Sequence, residues 1–285
     1  MAPEFVEEGA AARIGLPSEV CQYVAMAKPS LSLFFPAWNE EEYVERAVNR
    51  ARVVLDRLSD DWEIIVVNDA STDRTRELAE ALAAADSRIR CLTHEENKSL
   101  GGAMKTGFEA STKDIVIYSD IDLPFDLDEL ERALHLMTYL EADMISAFRF
   151  DRTSEGPRRI VYSLMYNFLI RTLFDVQIKD INFSFKVVHR RVLESIELKA
   201  EGGFIDAELV VKALKRGFRV FQMGVDYFPR TRGESTLASP RVIVKIVKEM
   251  ASLFTDTRAP KDPVRPARLP PSVAVLETKK ASSGR

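Results

Sequence analysis

Three times in its first half this chain follows a short run of β-branched and aromatic residues with a segment whose apolar positions recur at helical spacing. LSLFFPA (31–37) precedes Val44, Ala47, Val48, Ala51, Leu55 and Leu58. WEIIVVND (62–69) precedes a helix predicted from about Asp73 to Ala85, and IRCLTH (89–94) precedes one from Leu100 to Ala110. DIVIYSD (114–120) closes the series as a fourth strand. Continuous apolar runs are characteristic of strands buried on both faces, and a stripe of period 3.6 marks the helices that cover them. The pattern restricts the fold to α/β, with a mostly parallel sheet and helices on both faces. Ligands of such sheets gather beyond the carboxyl ends of the strands, which singles out Asp69 and Asp120. Asn39, with Glu42 three residues on, is the predicted N-cap of the first helix.

The second half is more mixed. Strands are expected at DMISAFRF (143–150), FSFKVV (183–188) and FRVFQMGVDYF (218–228), with a long apolar helix over Arg158 to Phe174. A helix from Phe204 to Arg216 stops at Gly217, and Ser239 to Phe254 reads as a final amphipathic helix. Five of the 13 prolines fall between Pro260 and Pro271. The expected organisation is a flexible extension over 1–28, one domain over 29–255 with halves meeting near 125, and a flexible Pro-rich tail over 256–285.

Several function classes fall away. A net charge of −4 and pI of about 5.6 argue against a nucleic-acid binder, whose affinity would rest on phosphate neutralisation. Cys21 and Cys91 have no metal-type spacing and fit a reducing, cytoplasmic compartment. No run approaches the roughly 18 apolar residues of a spanning helix. There is no GxxxxGK[ST], and Gly101, Gly102 and Gly107 do not form GxGxxG after a strand, which disfavours P-loop and nicotinamide chemistry. The three histidines are scattered and read as structural.

YSDIDLPFD (118–126) ends the fourth strand with two carboxylates. Residues two apart on a strand share a face, so Asp120 and Asp122 are expected to converge and to require a cation between them. Their hard oxygens match Mg²⁺ or Mn²⁺. Such an ion bridges to a diphosphate and neutralises charge as the leaving group departs.

With PAWNE (36–40) after the first strand and VNDASTD (67–73) after the second, the chain resembles the family 2 glycosyltransferases over about Leu31 to Leu237. The resemblance implies the Rossmann-like GT-A fold, with a nucleotide-sugar half over 29–125 and an acceptor half over 126–255. It places Pro36, Ala37, Asn39, Glu40 and Asp69 around the nucleotide, with Asn68 standing where the family usually has an aspartate. NKSLGGAMKTGF (97–108) is similar to the family's glycine loop, and with it come Gly101, Gly102 and Lys105.

The second half is most similar to dolichyl- and polyprenyl-phosphate sugar transferases. Matching positions are Arg149, Arg158, Arg159, Asn167, Arg171, Asp180 and Lys186, together with Arg230, Arg232 and Ser235 of RTRGES. Asp122, Arg149 and Arg230 are the implied catalytic centre. Pro124, Ser184 and Thr236 depart from the family's pattern. The implied reaction is an inverting transfer from a GDP-mannose or UDP-glucose type donor to a polyprenyl phosphate. A hydroxyl acceptor is the alternative, for which Asp206 and Glu208 in GFIDAEL are the candidate bases. A nucleotide-sugar binding protein without turnover is the third reading. The helices over 158–174 and 239–254 are candidates to lie on the cytoplasmic membrane face, alone or beside a separate membrane-anchoring partner.

Overall fold

The computed structural model describes residues 28–151, 157–228 and 240–258, of which the side chains of 157–159, 240–246 and 258 are left out. Seven strands form one sheet: β1 (Leu31–Ala37), β2 (Trp62–Asn68), β3 (Ile89–Thr93), β4 (Ile115–Ser119), β5 (Met144–Arg149), β6 (Phe185–His189) and β7 (Val220–Val225). The described helices are α1 (Val44–Leu58), α2 (Thr75–Ala85), α3 (Ser99–Ala110), α4 (Glu129–Tyr139), α5 (Pro157–Phe174), α6 (Arg190–Ser195), α7 (Ile205–Lys215) and α8 (Pro240–Arg258).

The strand order is β3-β2-β1-β4-β6-β5-β7. All pairs are parallel except those made by β6, which runs against both β4 and β5. That reversal matters for the site. Because Ser119 pairs with Phe185, the segment leading into β6 lies at the same edge as the carboxyl ends of β4, β5 and β7.

Strand residues alternate between two cores, as the period of two requires. Leu33, Phe35, Ile64, Val66, Ile117 and Val187 join Val48, Leu55 and Leu130 on one face. Phe34, Ile65, Val67, Val116, Tyr118 and Val188 join Met104, Ile170, Val210 and Met250 on the other. Burying each large apolar side chain contributes about 1.5–3 kcal/mol, so both helical layers are held by the sheet.

Some sequence expectations shift. The first helix starts at Val44, with Asn39 outside it at φ 56°, so Asn39 does not cap it. Helices α4 and α6 were not expected, and α8 continues to Arg258 rather than stopping at Phe254. The extension over 1–27 and the tail from 259 lie outside the described residues. Among the described residues no helix is long and apolar enough to cross a membrane.

Candidate active site

The strand order reverses between β1 and β4, the switch point at which open α/β sheets bind ligands. Pro36 explains how the crevice opens. β1 pairs with β4 only as far as Phe34 with Tyr118, while its pairing with β2 runs on through Pro36 to Ala37. Proline has no N–H to extend a ladder, so the two strands part beyond it.

The loops after β1 and β2 are fastened to each other. The Asn39 carboxamide oxygen accepts from Thr72 N at 2.8 Å, and Ser71 Oγ accepts from Asn39 N at 3.0 Å. Glu40 N donates to Thr75 Oγ1 at 2.8 Å, and Arg74 N donates to Glu41 Oε2 at 2.9 Å. Asp73 accepts from Glu41 N and Thr75 N. Asn39 and Ala70 both sit at φ 56°, a left-handed conformation that costs a non-glycine residue about 1–2 kcal/mol. The bonds across the two loops hold that strain in place. Trp38, in the middle of PAWNE, stands 47% exposed beside Ala37.

Asp69 is 3% exposed at the end of β2. Its Oδ1 accepts from Lys98 N at 2.8 Å and lies 2.6 Å from His94 Nδ1. His94 Nε2 lies 2.9 Å from Thr106 Oγ1 on α3, and Asn97 donates to the Asp69 carbonyl at 3.1 Å. Asn68 is used locally: its carboxamide oxygen accepts from Ser71 N at 3.3 Å. Gly101 and Gly102 permit close approach to protein. A Cβ on Gly101 would stand 2.5 Å from the Glu201 carbonyl carbon, and one on Gly102 2.4 Å from Lys98 Cβ. Lys105 is half-buried on α3.

β4 ends at Ser119, one residue before Asp120. Asp120 and Asp122 are therefore placed by a turn and not by strand alternation: Leu123 N donates to Asp120 O at 3.3 Å, with Leu123 at φ 50°. The turn is anchored by Tyr118, whose hydroxyl donates to Asp120 Oδ1 at 3.2 Å, and by Phe228 N, which donates to Pro124 O at 2.8 Å. Arg50 fastens the following segment through Asp126 and Asp128. Among the described residues no three His, Cys, Asp or Glu side chains group as a metal cage. Two hard carboxylates alone fit Mg²⁺ or Mn²⁺, which fills its remaining positions with water and phosphate oxygens, and they do not fit structural zinc.

The antiparallel β6 brings residues of the chain's second half to the same edge. Arg149 at the end of β5 forms a two-pronged pair with Asp180: Nε to Oδ2 at 2.7 Å and Nη2 to Oδ1 at 3.0 Å. Its guanidinium lies 5.6 Å from the Phe183 ring and 5.1 Å from that of Tyr227. Lys186 is fully buried, donating to Phe183 O at 2.6 Å with Asp206 Oδ1 2.7 Å away. Burial pushes the Asp206 carboxyl above its ordinary value; Lys186 opposes this, while Asp120 and Asp180 add to it. Burial likewise raises the Tyr118 phenol, with Asp120 adding to it.

Other candidates separate from this group. Glu208 is closed off from solvent, accepting from Lys199 N, Ala200 N and Lys212 Nζ. Asn167 accepts from Ile181 N at 3.0 Å, suspending the Asp180 loop from α5. Arg171 is exposed, 3.3 Å from Gln177 Oε1. The side chain of Arg158, and Arg230, Arg232 and Ser235 entirely, lie outside the described residues.

The seven-stranded, mostly parallel sheet with helices on both faces has the architecture of the GT-A class of glycosyltransferase fold. Glucosyl-3-phosphoglycerate synthase from Mycobacterium tuberculosis, in its complex with Mn²⁺, uridine diphosphate and phosphoglyceric acid, superposes with a TM-score of 0.62 at 19% identity, over 89% of this chain and 84% of that one. The Glycosyl transferase family 2 profile matches residues 32–197, and the chain belongs to that family. Glycosyltransferase AglD of Haloferax volcanii is 34% identical over 76% of this chain, which spans only 36% of AglD's length. Polyprenol monophosphomannose synthase of Mycolicibacterium smegmatis is 28% identical over 74% of this chain and 82% of its own.

Proposed function

We propose that this protein transfers a sugar, with inversion, from a nucleoside diphosphate sugar of the GDP-mannose or UDP-glucose type to a polyprenyl phosphate. The observation that carries this reading is the state of the two candidate bases. Asp206 is bound to a buried lysine, and Glu208 is enclosed by two backbone N–H groups and Lys212. A hydroxyl acceptor needs a base to take its proton, whereas a phosphate is already an anion. The relative named as a polyprenol monophosphomannose synthase supports the same acceptor.

An acceptor phosphate oxygen bonds to the anomeric carbon as the bond to the donor diphosphate breaks, and the electron pair leaves on the diphosphate oxygen. Asp69 and the loops joined by Asn39 and Glu40 hold the nucleotide, with Trp38 as a flat surface for its base. Asp120 and Asp122 would hold a divalent ion, which would supply positive charge to offset that of the departing diphosphate. Arg149 turns its Nε–Nη2 edge to Asp180 and supplies positive charge for the acceptor phosphate from its Nη1 side. Arg158, Arg171, Arg230, Arg232 and Ser235 belong to the same acceptor proposal.

The lipid tail is met by α5. Val161, Leu164, Met165 and Phe168 recur at helical spacing and are 51%, 59%, 63% and 70% exposed. An apolar stripe turned to solvent, on a helix whose Ile170 and Phe174 are in the core, suits peripheral contact with a lipid surface, with or without an anchoring partner.

The test is a polyprenyl phosphate assay on variants. Asp206→Asn should lose less than about tenfold in kcat, well short of the ~10²- to 10⁴-fold expected of a lost general base. A collapse of that size in Asp206→Asn or Glu208→Gln, with normal folding, would favour a hydroxyl acceptor. Nucleotide-sugar binding with no turnover in any acceptor assay would favour a binding protein.

A further inference from the structure

His94 does not belong to any motif of the sequence, yet it touches the residue on which donor binding turns. It is 8% exposed and follows β3 directly, with its backbone N donating to Asn68 O at 3.0 Å. Both ring nitrogens are engaged, one with Asp69 on β2's end and one with Thr106 on α3. Facing a carboxylate oxygen that also accepts from Lys98 N, Nδ1 is placed to donate, and Nε2 is placed to pair with the Thr106 hydroxyl. Core packing alone would be met by leucine or methionine, without the desolvation cost of an imidazole.

The distribution of bonds on Asp69 is one-sided. His94 Nδ1 and Lys98 N both converge on Oδ1, and among the described residues no hydrogen bond falls on Oδ2. Two donors on one oxygen fix the rotation of a carboxylate that would otherwise be symmetric. We propose that His94 is a positioning residue for the donor: its Nδ1–H, with Lys98 N, locks Asp69 so that Oδ2 is presented to a hydrogen-bond donor of the nucleoside. This rests on the proposal above that the nucleotide lies at the ends of β1 and β2.

The experiment compares nucleoside diphosphate binding by calorimetry, with UDP and GDP in the presence of Mn²⁺, across full-length variants. An asparagine amide can reach the place of Nδ1, whereas a glutamine amide reaches that of Nε2. His94→Asn should therefore bind within about threefold of the parent, while His94→Gln and His94→Leu weaken at least tenfold. Donor KM should rise in the same order, with kcat held within about threefold. Equal affinity of the Asn and Gln variants, or parental affinity of His94→Leu, overturns the proposal for His94. Should the leucine variant not fold, the comparison of Asn with Gln decides alone. Asp69→Asn separates the two levels: if it too binds as the parent does, the nucleotide lies elsewhere and the functional reading fails with it.

Discussion

Replacing Lys186 with methionine keeps the unbranched stem, one atom shorter, and removes the cation from a fully buried ion pair. Asp206, 2.7 Å from Nζ and 2% exposed, is then left with an uncompensated charge. Breaking a buried pair from one side costs about 3–5 kcal/mol. The carboxyl can limit that cost by taking up a proton. From its ordinary value of 3.8, neutralisation at pH 7 costs about 4.4 kcal/mol at ~1.36 kcal/mol per pH unit, and at pH 5 only about 1.6. Phe183 O also loses one of its two donors, keeping Phe185 N at 2.9 Å, and that loss of about 1 kcal/mol does not depend on pH. Asp206 already sits above its ordinary value, and loss of Lys186 raises it further. A raised carboxyl favours folding at low pH and loses that contribution as pH rises, so the variant should be penalised most at pH 7. Urea denaturation should give a loss of about 4–5 kcal/mol at pH 7 and about 2–3 kcal/mol at pH 5. The double variant Lys186→Met/Asp206→Asn should lose most of the pH dependence. A loss below about 1 kcal/mol at pH 7, or one that is the same at both pH values, would refute the reasoning.

Gly107→Ala should cost about 1–3 kcal/mol by overpacking, because the new Cβ would stand 2.2 Å from a buried Phe34 ring wedged between Phe108 and Tyr118. An unchanged urea midpoint would count against it. For Glu63, burial pushes the carboxyl up, but hydrogen bonds from Ser32, Thr112 and Arg90 outweigh this and hold it below its ordinary 4.5. Its contribution is present above that value and is lost as pH falls through the lowered one. The difference in melting temperature between the parent and Glu63→Gln should therefore shrink from pH 7 to pH 3, and a constant difference would exclude this role. Asp122→Asn should remove most divalent-dependent turnover; full activity of that variant in excess EDTA would contradict its place at the metal.

Much of the fold was legible because Phe34, Ile65, Val116 and their neighbours form runs too apolar for an exposed strand. Helix α4 was equally written in Leu130, Ala133, Leu134 and Met137, whose spacing went unread beside the acidic turn, whereas α6 is too short to show a period. The turn at Asp120 was hidden because Leu123, a residue with no preference for positive φ, takes the left-handed position. Asn39 matched a helix cap locally, and a bond to Thr72 N overrode that match. Asp69 and Asp120 were singled out by the rule that ligands gather beyond strand ends. The same rule applied to IRCLTH singles out His94, which zinc spacing alone does not. The pairing of Arg149 with Asp180 could not be read at all, since it depends on β6 reversing direction.

The acceptor is the centre of this account, and product analysis tests it most directly. The intact chain would be given UDP- or GDP-sugars with Mg²⁺ or Mn²⁺, and either polyprenyl phosphate in vesicles or soluble hydroxyl acceptors. The expected result is nucleoside diphosphate release that requires the lipid phosphate and matches, mole for mole, a glycosyl phospholipid of inverted anomeric configuration. Release with a hydroxyl acceptor and none with the lipid phosphate would contradict it.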